Sequence, residues 1–232
     1  MRHSSALCIA VAGLVLWFLA EPLCSLAQAQ SGELKTLNER VNQLFREGKY
    51  AEAIPFAEGA AILAEKEYGE NHGEYARALA WLASIHLAQR HWAEAAPLYE
   101  KVVAISEKTL SPDSGDLATR INNLAVAYIN LGRVVEAEQL FQRALASREN
   151  IYGPDHFMVG VSLSALADLY RDTGRVTEAQ PLYERALAIS EKTAGPRHPY
   201  TADLLEKLVA LYRKQGLTDK ADELTRRLAT KP

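Results

Sequence analysis

The chain has 232 residues, 48% of them hydrophobic and 24% charged, with a formal net charge of −3. This is the composition of a chain that folds rather than a disordered one, and the even mixing of acidic and basic residues lacks the basic footprint of a nucleic-acid binder. The length accommodates one ordinary domain or a short repeat array.

The first element is an export segment. Arg2 and His3 precede an apolar run from Ala6 to Ala20, and Glu21-Pro22 ends it. Ser25-Leu26-Ala27 and Ala27-Gln28-Ala29 each place small residues where a signal peptidase reads, which predicts a signal peptide over 1–29, cleaved near 27–29, and a periplasmic or secreted mature chain. The rival is an N-terminal membrane anchor, which needs about 20 apolar residues, more than this run supplies. Cys24 follows Glu21-Pro22-Leu23 rather than the small residues of a lipobox. Cys8 and Cys24 are the only cysteines, so a mature chain has no disulfide, thiol nucleophile or thiolate metal site.

From about Glu33 the chain repeats itself every 42 residues. Residues 132–157 and 174–199 share 14 of 26 aligned positions. Gly48, Arg90, Gly132, Gly174 and Gly216 form one column, and Ala53, Ala95, Ala137, Ala179 and Ala221 another. Leu82, Leu124, Leu166 and Leu208 form a third, with Arg40 as its exception; Tyr128, Tyr170 and Tyr212 form a fourth, in which units one and two carry Leu44 and His86. Five units follow, approximately 33–73, 74–115, 116–157, 158–199 and 200–230. Each predicts two helices. In the fourth unit Leu163, Leu166, Ala167 and Tyr170 have helical spacing, the glycine supplies the positive φ of a C-terminal cap, and a second helix runs from about Val176 to Lys192. Proline and glycine in "GPDH" and "GPRHP" open the turn to the next unit. No stretch sustains the alternation of a strand. The alanine column predicts close helix crossings, and Tyr99, Phe141 and Tyr183 fill the space between units. Units one and five carry Ala57 and Thr225 at that aromatic position, as terminal units meeting water do.

Leu163, Leu166-Ala167, Tyr170, Ala179 and Tyr183 resemble the tetratricopeptide repeat pattern. The 42-residue period, with "NNLA", "EAEQLFQRALA" and "YGPDH", resembles the kinesin-light-chain type, over residues 33 to 230. HEAT and armadillo repeats have a similar period but do not explain the Gly-x4-Ala columns. The resemblance implies an all-α, right-handed superhelical solenoid of five helix-turn-helix repeats.

Chemistry is scarce. The sequence has no H-E-x-x-H, P-loop or G-x-S-x-G, so we expect no enzyme activity and no cofactor. His72, His156 and His198 share one phase, with Ser114 in unit two; repeated turn chemistry accounts for them better than a metal site. Asp168, Arg171 and Asp172 are neighbours on one helical face and predict local ion pairs at a solvated surface. Glu52, Glu94, Glu136 and Glu178 sit where a helix dipole favours them.

The resemblance also implies a concave groove lined by the first helix of each unit, gripping a protein or peptide. The family's inward offsets select Asn38, Asn42, Arg46, Arg77, Asn122, Asn130, Arg171 and Arg213 as candidate partner-binding residues. Asparagine suits main-chain recognition because it donates and accepts. The carboxylate clamp of chaperone-binding relatives is not expected, since its basic positions fall at Asn38, Thr119 and Asn123. Alternatives are an envelope assembly module working through its convex face or self-association, and a small-ligand binder or enzyme.

Overall fold

The computed structural model describes residues 32–229, so the predicted signal peptide lies outside the described residues. Ten helices and no strand occur among them. They are α1 (32–46), α2 (Tyr50–Tyr68), α3 (Gly73–Ala88), α4 (Trp92–Thr109), α5 (Gly115–Asn130), α6 (Val134–Tyr152), α7 (Phe157–Asp172), α8 (Val176–Thr193), α9 (Pro199–Lys214) and α10 (Thr218–Ala229). Each helix packs on its sequence neighbours, and α3 also touches α5. The odd-numbered helices line one side of the array and the even-numbered helices form the other.

Each hairpin turn repeats one hydrogen-bond motif. In unit three Gly132 N–H donates to Ile129 O at 3.1 Å and Arg133 N–H to Tyr128 O at 2.9 Å, the pair that defines a Schellman cap. The turn needs positive φ, and Gly132 has 77°. Arg90 holds the same place in unit two at φ 61° and makes the same two bonds. The five alanines of the alanine column are fully buried where the helices of each hairpin cross.

The turns between units explain the histidine phase. His72, His156 and His198 are the N-caps of α3, α7 and α9, and each Nδ1 accepts the N–H two residues on at 3.2 Å. Ser114 does the same for α5, accepting from Leu117 N–H at 3.4 Å. The ring nitrogen replaces the side-chain oxygen of the usual cap and satisfies one of the helix's orphan donors. No group of His, Cys, Asp and Glu able to hold a metal occurs among the described residues.

Successive units are also tied by polar columns. Tyr128, Tyr170 and Tyr212 donate their hydroxyls to Glu100, Glu138 and Glu184 of the preceding unit at 2.6 to 2.9 Å. Arg133 and Arg175, one residue after the turn glycine, lie over the rings of Tyr128 and Tyr170 at 3.6 and 4.0 Å and pair with the same glutamates. Along the even-numbered helices Arg143 meets Glu107 at 2.6 Å, Arg185 meets Glu149 at 2.7 Å, and Arg227 meets Glu191. Exposed pairs of this kind contribute about 0.2–1 kcal/mol each; their regular spacing fixes register more than it adds stability.

The two terminal units depart from these columns. On α1, Arg40 donates to Gln43 at 2.9 Å, Gln43 donates to Glu47 at 2.8 Å, and the Arg40 guanidinium covers the Phe56 ring at 5.7 Å. Arg40, the exception to the leucine column, therefore covers an aromatic ring at the outer edge of unit one. Gly59 replaces the basic residue of the outer ion-pair column, and Arg226 replaces the glutamate that accepts the next unit's tyrosine.

Candidate functional site

A cleft of about 860 Å3 opens on the odd-numbered side of units one to three. From α3 it is lined by Glu74, Arg77, Ala80, Trp81 and Ser84, a spacing that places them on one helical face. α1 supplies Leu34, Lys35, Asn38, Glu39 and Asn42, and α5 supplies Asp116, Thr119, Arg120 and Asn123. Tyr68 and Tyr99, from α2 and α4, complete the wall.

The lining is balanced in charge and rich in neutral polar groups. Glu74 holds Arg77, and Lys35 stands 3.9 Å from Glu39. At the floor the buried Tyr99 hydroxyl meets Ser84 Oγ at 2.7 Å and accepts from Asn123 Nδ2 at 3.1 Å; burial pushes its pKa up. Arg120 donates to Ser106 and has no carboxylate at ion-pair distance; burial pulls its pKa down.

Of the eight candidates from the sequence, the structure brings Asn38, Asn42 and Arg77 into this cleft. Asn38 and Asn122, two units apart in one column, each bury a carbonyl oxygen with no hydrogen-bond partner, but Asn122 does not line the cleft. Arg46 is exposed at the end of α1. Asn130 turns back on its own helix, donating to Val126 O at 2.8 Å. Arg171 is held between Asp168 and Asp172 at 2.9 and 2.8 Å, and Arg213 reaches Thr225 at 3.5 Å.

The same face is closed in units four and five. Asp168 accepts from the Tyr183 hydroxyl at 2.5 Å, from Arg171, and from Lys207 of the next unit at 2.9 Å; Lys207 also pairs with Asp203 at 3.1 Å. Burial first, and then the Asp168 carboxylate, push the Tyr183 hydroxyl far above its ordinary pKa. The predicted local ion pairs of Arg171 with Asp168 and Asp172 form, and through Lys207 Asp168 also bridges units four and five. Its range was illegible along one helix because Tyr183 and Lys207 lie 15 and 39 residues from Asp168.

Sequence reasoning also passed over Tyr68, Trp81, Tyr99, Arg120 and Asn123 as lining residues, and Arg148 altogether. Arg148 is 2% exposed, the largest fully buried side chain. It donates to Ser162 at 2.8 Å and Thr119 at 3.1 Å, its Nε has no partner, and burial pulls its pKa down. The available signal was its column, where units two and four carry Ser106 and Ser190.

The tetratricopeptide repeat profile matches residues 32–108, 116–189 and 159–228. Among solved structures, the chain is similar to a putative kinesin light chain from Podosopora anserina with nearly identical TPR-like repeats: 28% identity over 84% of this chain and 92% of that one, TM-score 0.73. It is also similar in fold to BtubC (BKLC) from P. vanneervenii, at 21% identity over 88% of each chain and TM-score 0.72. A Rap protein complexed with competence and sporulation factor shares the fold at 18% identity and TM-score 0.70; this chain covers 52% of it. No curated protein matches the chain. The recurrent hairpins, the alanine crossings and the profile match over most of the sequence lead to one conclusion: the chain belongs to the tetratricopeptide repeat family, as an array with kinesin-light-chain-like repeats.

Proposed function

We propose that this protein is an exported adaptor or scaffold that holds a protein or peptide in the cleft of units one to three. The observation that carries the reading is the division of one helical face into an open, amide-lined cleft and a half closed by its own ion pairs. Ligand groups reaching Asn42 or Ser84 meet neutral donors and acceptors on an already ordered surface, so little ordering entropy opposes binding. The Rap complex supports a bound signalling factor as a mode open to this fold. Export rests on the residues before Ala29, and scaffolding on the repeat columns that build one continuous helical surface.

The test is affinity capture from an envelope extract with Asn42→Ala/Arg77→Ala beside Arg171→Ala/Arg213→Ala, both checked for native helicity. A partner kept by the second protein and lost by the first supports the cleft; the reverse pattern, or retention by both, defeats it. Sequencing the N-terminus of chain recovered from the envelope fraction tests export, with a start near residue 28 to 30 expected.

A further inference from the structure

The four unit boundaries repeat the same positions with different chemistry. At one of them a residue on the even-numbered helix faces a residue 14 positions later on the following odd-numbered helix. The pairs are Ala64 with Ala78, Ser106 with Arg120, Arg148 with Ser162, and Ser190 with Leu204. Arg120 donates to Ser106 across the second boundary, and Arg148 donates to Ser162 at 2.8 Å across the third, so the guanidinium and the hydroxyl have exchanged sides. At the fourth, Ser190 Oγ turns to Thr201 Oγ1 at 2.7 Å and Leu204 is fully buried.

A second position behaves alike. Ser84, Tyr99 and Asn123 form a neutral hydrogen-bonded triangle at the second boundary. The equivalent residues are Val126, Phe141 and Ala165 at the third, which are apolar, and Asp168, Tyr183 and Lys207 at the fourth, which are charged and bonded.

We propose that these paired positions specify which unit packs on which, within one chain and against a second copy. Mispairing is the hazard of such repetition: units three and four share 14 of 26 residues across 132–157 and 174–199, and their alanine, glycine and aromatic columns offer nearly the same apolar surface to any neighbour. The polar pairs discriminate where the columns do not. Packing unit five on unit three sets Arg148 against Leu204 and Lys207 against Val126 and Phe141, so the buried Arg148 loses Ser162 and Lys207 loses Asp168, keeping only Asp203 on its own helix. Packing unit four on unit two sets Ser106 against Ser162 and leaves Tyr99 and Ser84 facing Ala165. Unpartnered buried charge is among the most destabilising changes a packed interface can suffer, and a polar group that fixes register at some loss of stability is its best-attested use. Arg148 is further restricted because it needs Thr119; the equivalent of Thr119 for unit two is Arg77, which would repel an arginine at 106.

Two experiments on the full chain test this. In a thermal-unfolding cycle, Ser162→Arg puts two guanidiniums at one boundary and lowers the first transition by about 10 °C. Arg148→Ser lowers it less, and the double substitution, which rebuilds the Ser106–Arg120 arrangement, recovers most of the Ser162→Arg loss. A double variant no better than Ser162→Arg alone overturns the proposal. The second converts the third boundary into a copy of the second at these positions with Arg148→Ser, Ser162→Arg, Val126→Ser, Phe141→Tyr and Ala165→Asn. Refolded from urea at high concentration, this variant gives exchanged oligomers on size exclusion with light scattering, whereas the native sequence returns to its starting species. Refolding of both to the starting species overturns the proposal, and the unfolding cycle still decides it if the fivefold variant does not fold.

Discussion

The two halves of the odd-numbered face start from equivalent positions and reach opposite surfaces. Ser84, Tyr99 and Asn123 in the first half become Asp168, Tyr183 and Lys207 in the second. Backbone and burial scarcely differ, because both tyrosines are fully buried. In the first half the tyrosine hydroxyl is satisfied by two small neutral groups, and the surface above stays open. In the second it donates to a carboxylate that also draws in Arg171 from its own helix and Lys207 from across the boundary. Repetition therefore builds the scaffold, while serine against aspartate and asparagine against lysine in one recurring triangle decide which boundary is bridged by charge.

The largest expected effect comes from removing the carboxylate. Asp168→Ala strands the buried Tyr183 hydroxyl and deprives Arg171 and Lys207 of a shared partner, a loss of about 3 kcal/mol. Ser84→Ala leaves Tyr99 its bond from Asn123 and costs about 1 kcal/mol. Urea unfolding of the two variants measures the difference directly, and equal losses would erase the distinction between the halves.

Grafting the second half's chemistry into the first sharpens the comparison. Ser84→Asp with Asn123→Lys keeps Tyr99 bonded and places an ion pair across the cleft floor. Stability should move by no more than about 1 kcal/mol, since a half-buried pair largely offsets its own desolvation. Partner capture, by contrast, should fall at least about tenfold, equivalent to about 1.4 kcal/mol. Unchanged capture would place the partner elsewhere.

The scaffold was legible because its signals are periodic. The alanine column, the turn glycines and the tyrosines each recur at 42 residues, and each has one physical reason to do so: a close crossing, a positive φ, an interunit hydrogen bond. The site was legible only in part. Asn38, Asn42 and Arg77 follow from facing inward, but an inward offset does not say what the side chain meets there. Arg171 faces inward and is consumed by Asp168 and Asp172, and Asn130 by its own backbone. The residues that set the contrast, Tyr99 and Tyr183, were read from the sequence as packing alone, because the partners of their hydroxyls come from helices on both sides.

His86 is a third difference between the halves. It occupies the column of Tyr128, Tyr170 and Tyr212, its Nδ1 is buried without a partner, and burial lowers its pKa. The folded state thus disfavours the protonated ring. The stability tied to this site is fully present above the ordinary imidazole pKa of about 6.5 and is lost as pH falls from there through the lower value of the folded state. His86→Tyr puts a hydroxyl near Glu58, the counterpart of Glu100, and should add about 1 kcal/mol at pH 7 while flattening the melting temperature between about pH 7.5 and 5.5. A variant with the native pH profile would assign the acid sensitivity to another group.

The smallest expected effect concerns the turn of the same hairpin. Arg90 is the one residue other than glycine with positive φ among the described residues, at 61°, and the left-handed conformation costs a side-chain-bearing residue about 1–2 kcal/mol. Glycine relieves that strain but gives the unfolded chain more freedom, which takes back about 0.4–1 kcal/mol. Arg90→Gly should therefore raise stability by about 0.5–1 kcal/mol and bring unit two into line with Gly132 and Gly174. Arg90→Ala keeps the Cβ and should gain nothing, so the pair separates backbone strain from any contribution of the guanidinium. If both substitutions destabilise equally, the arginine side chain stabilises this turn, and the departure from glycine is compensated locally rather than merely tolerated.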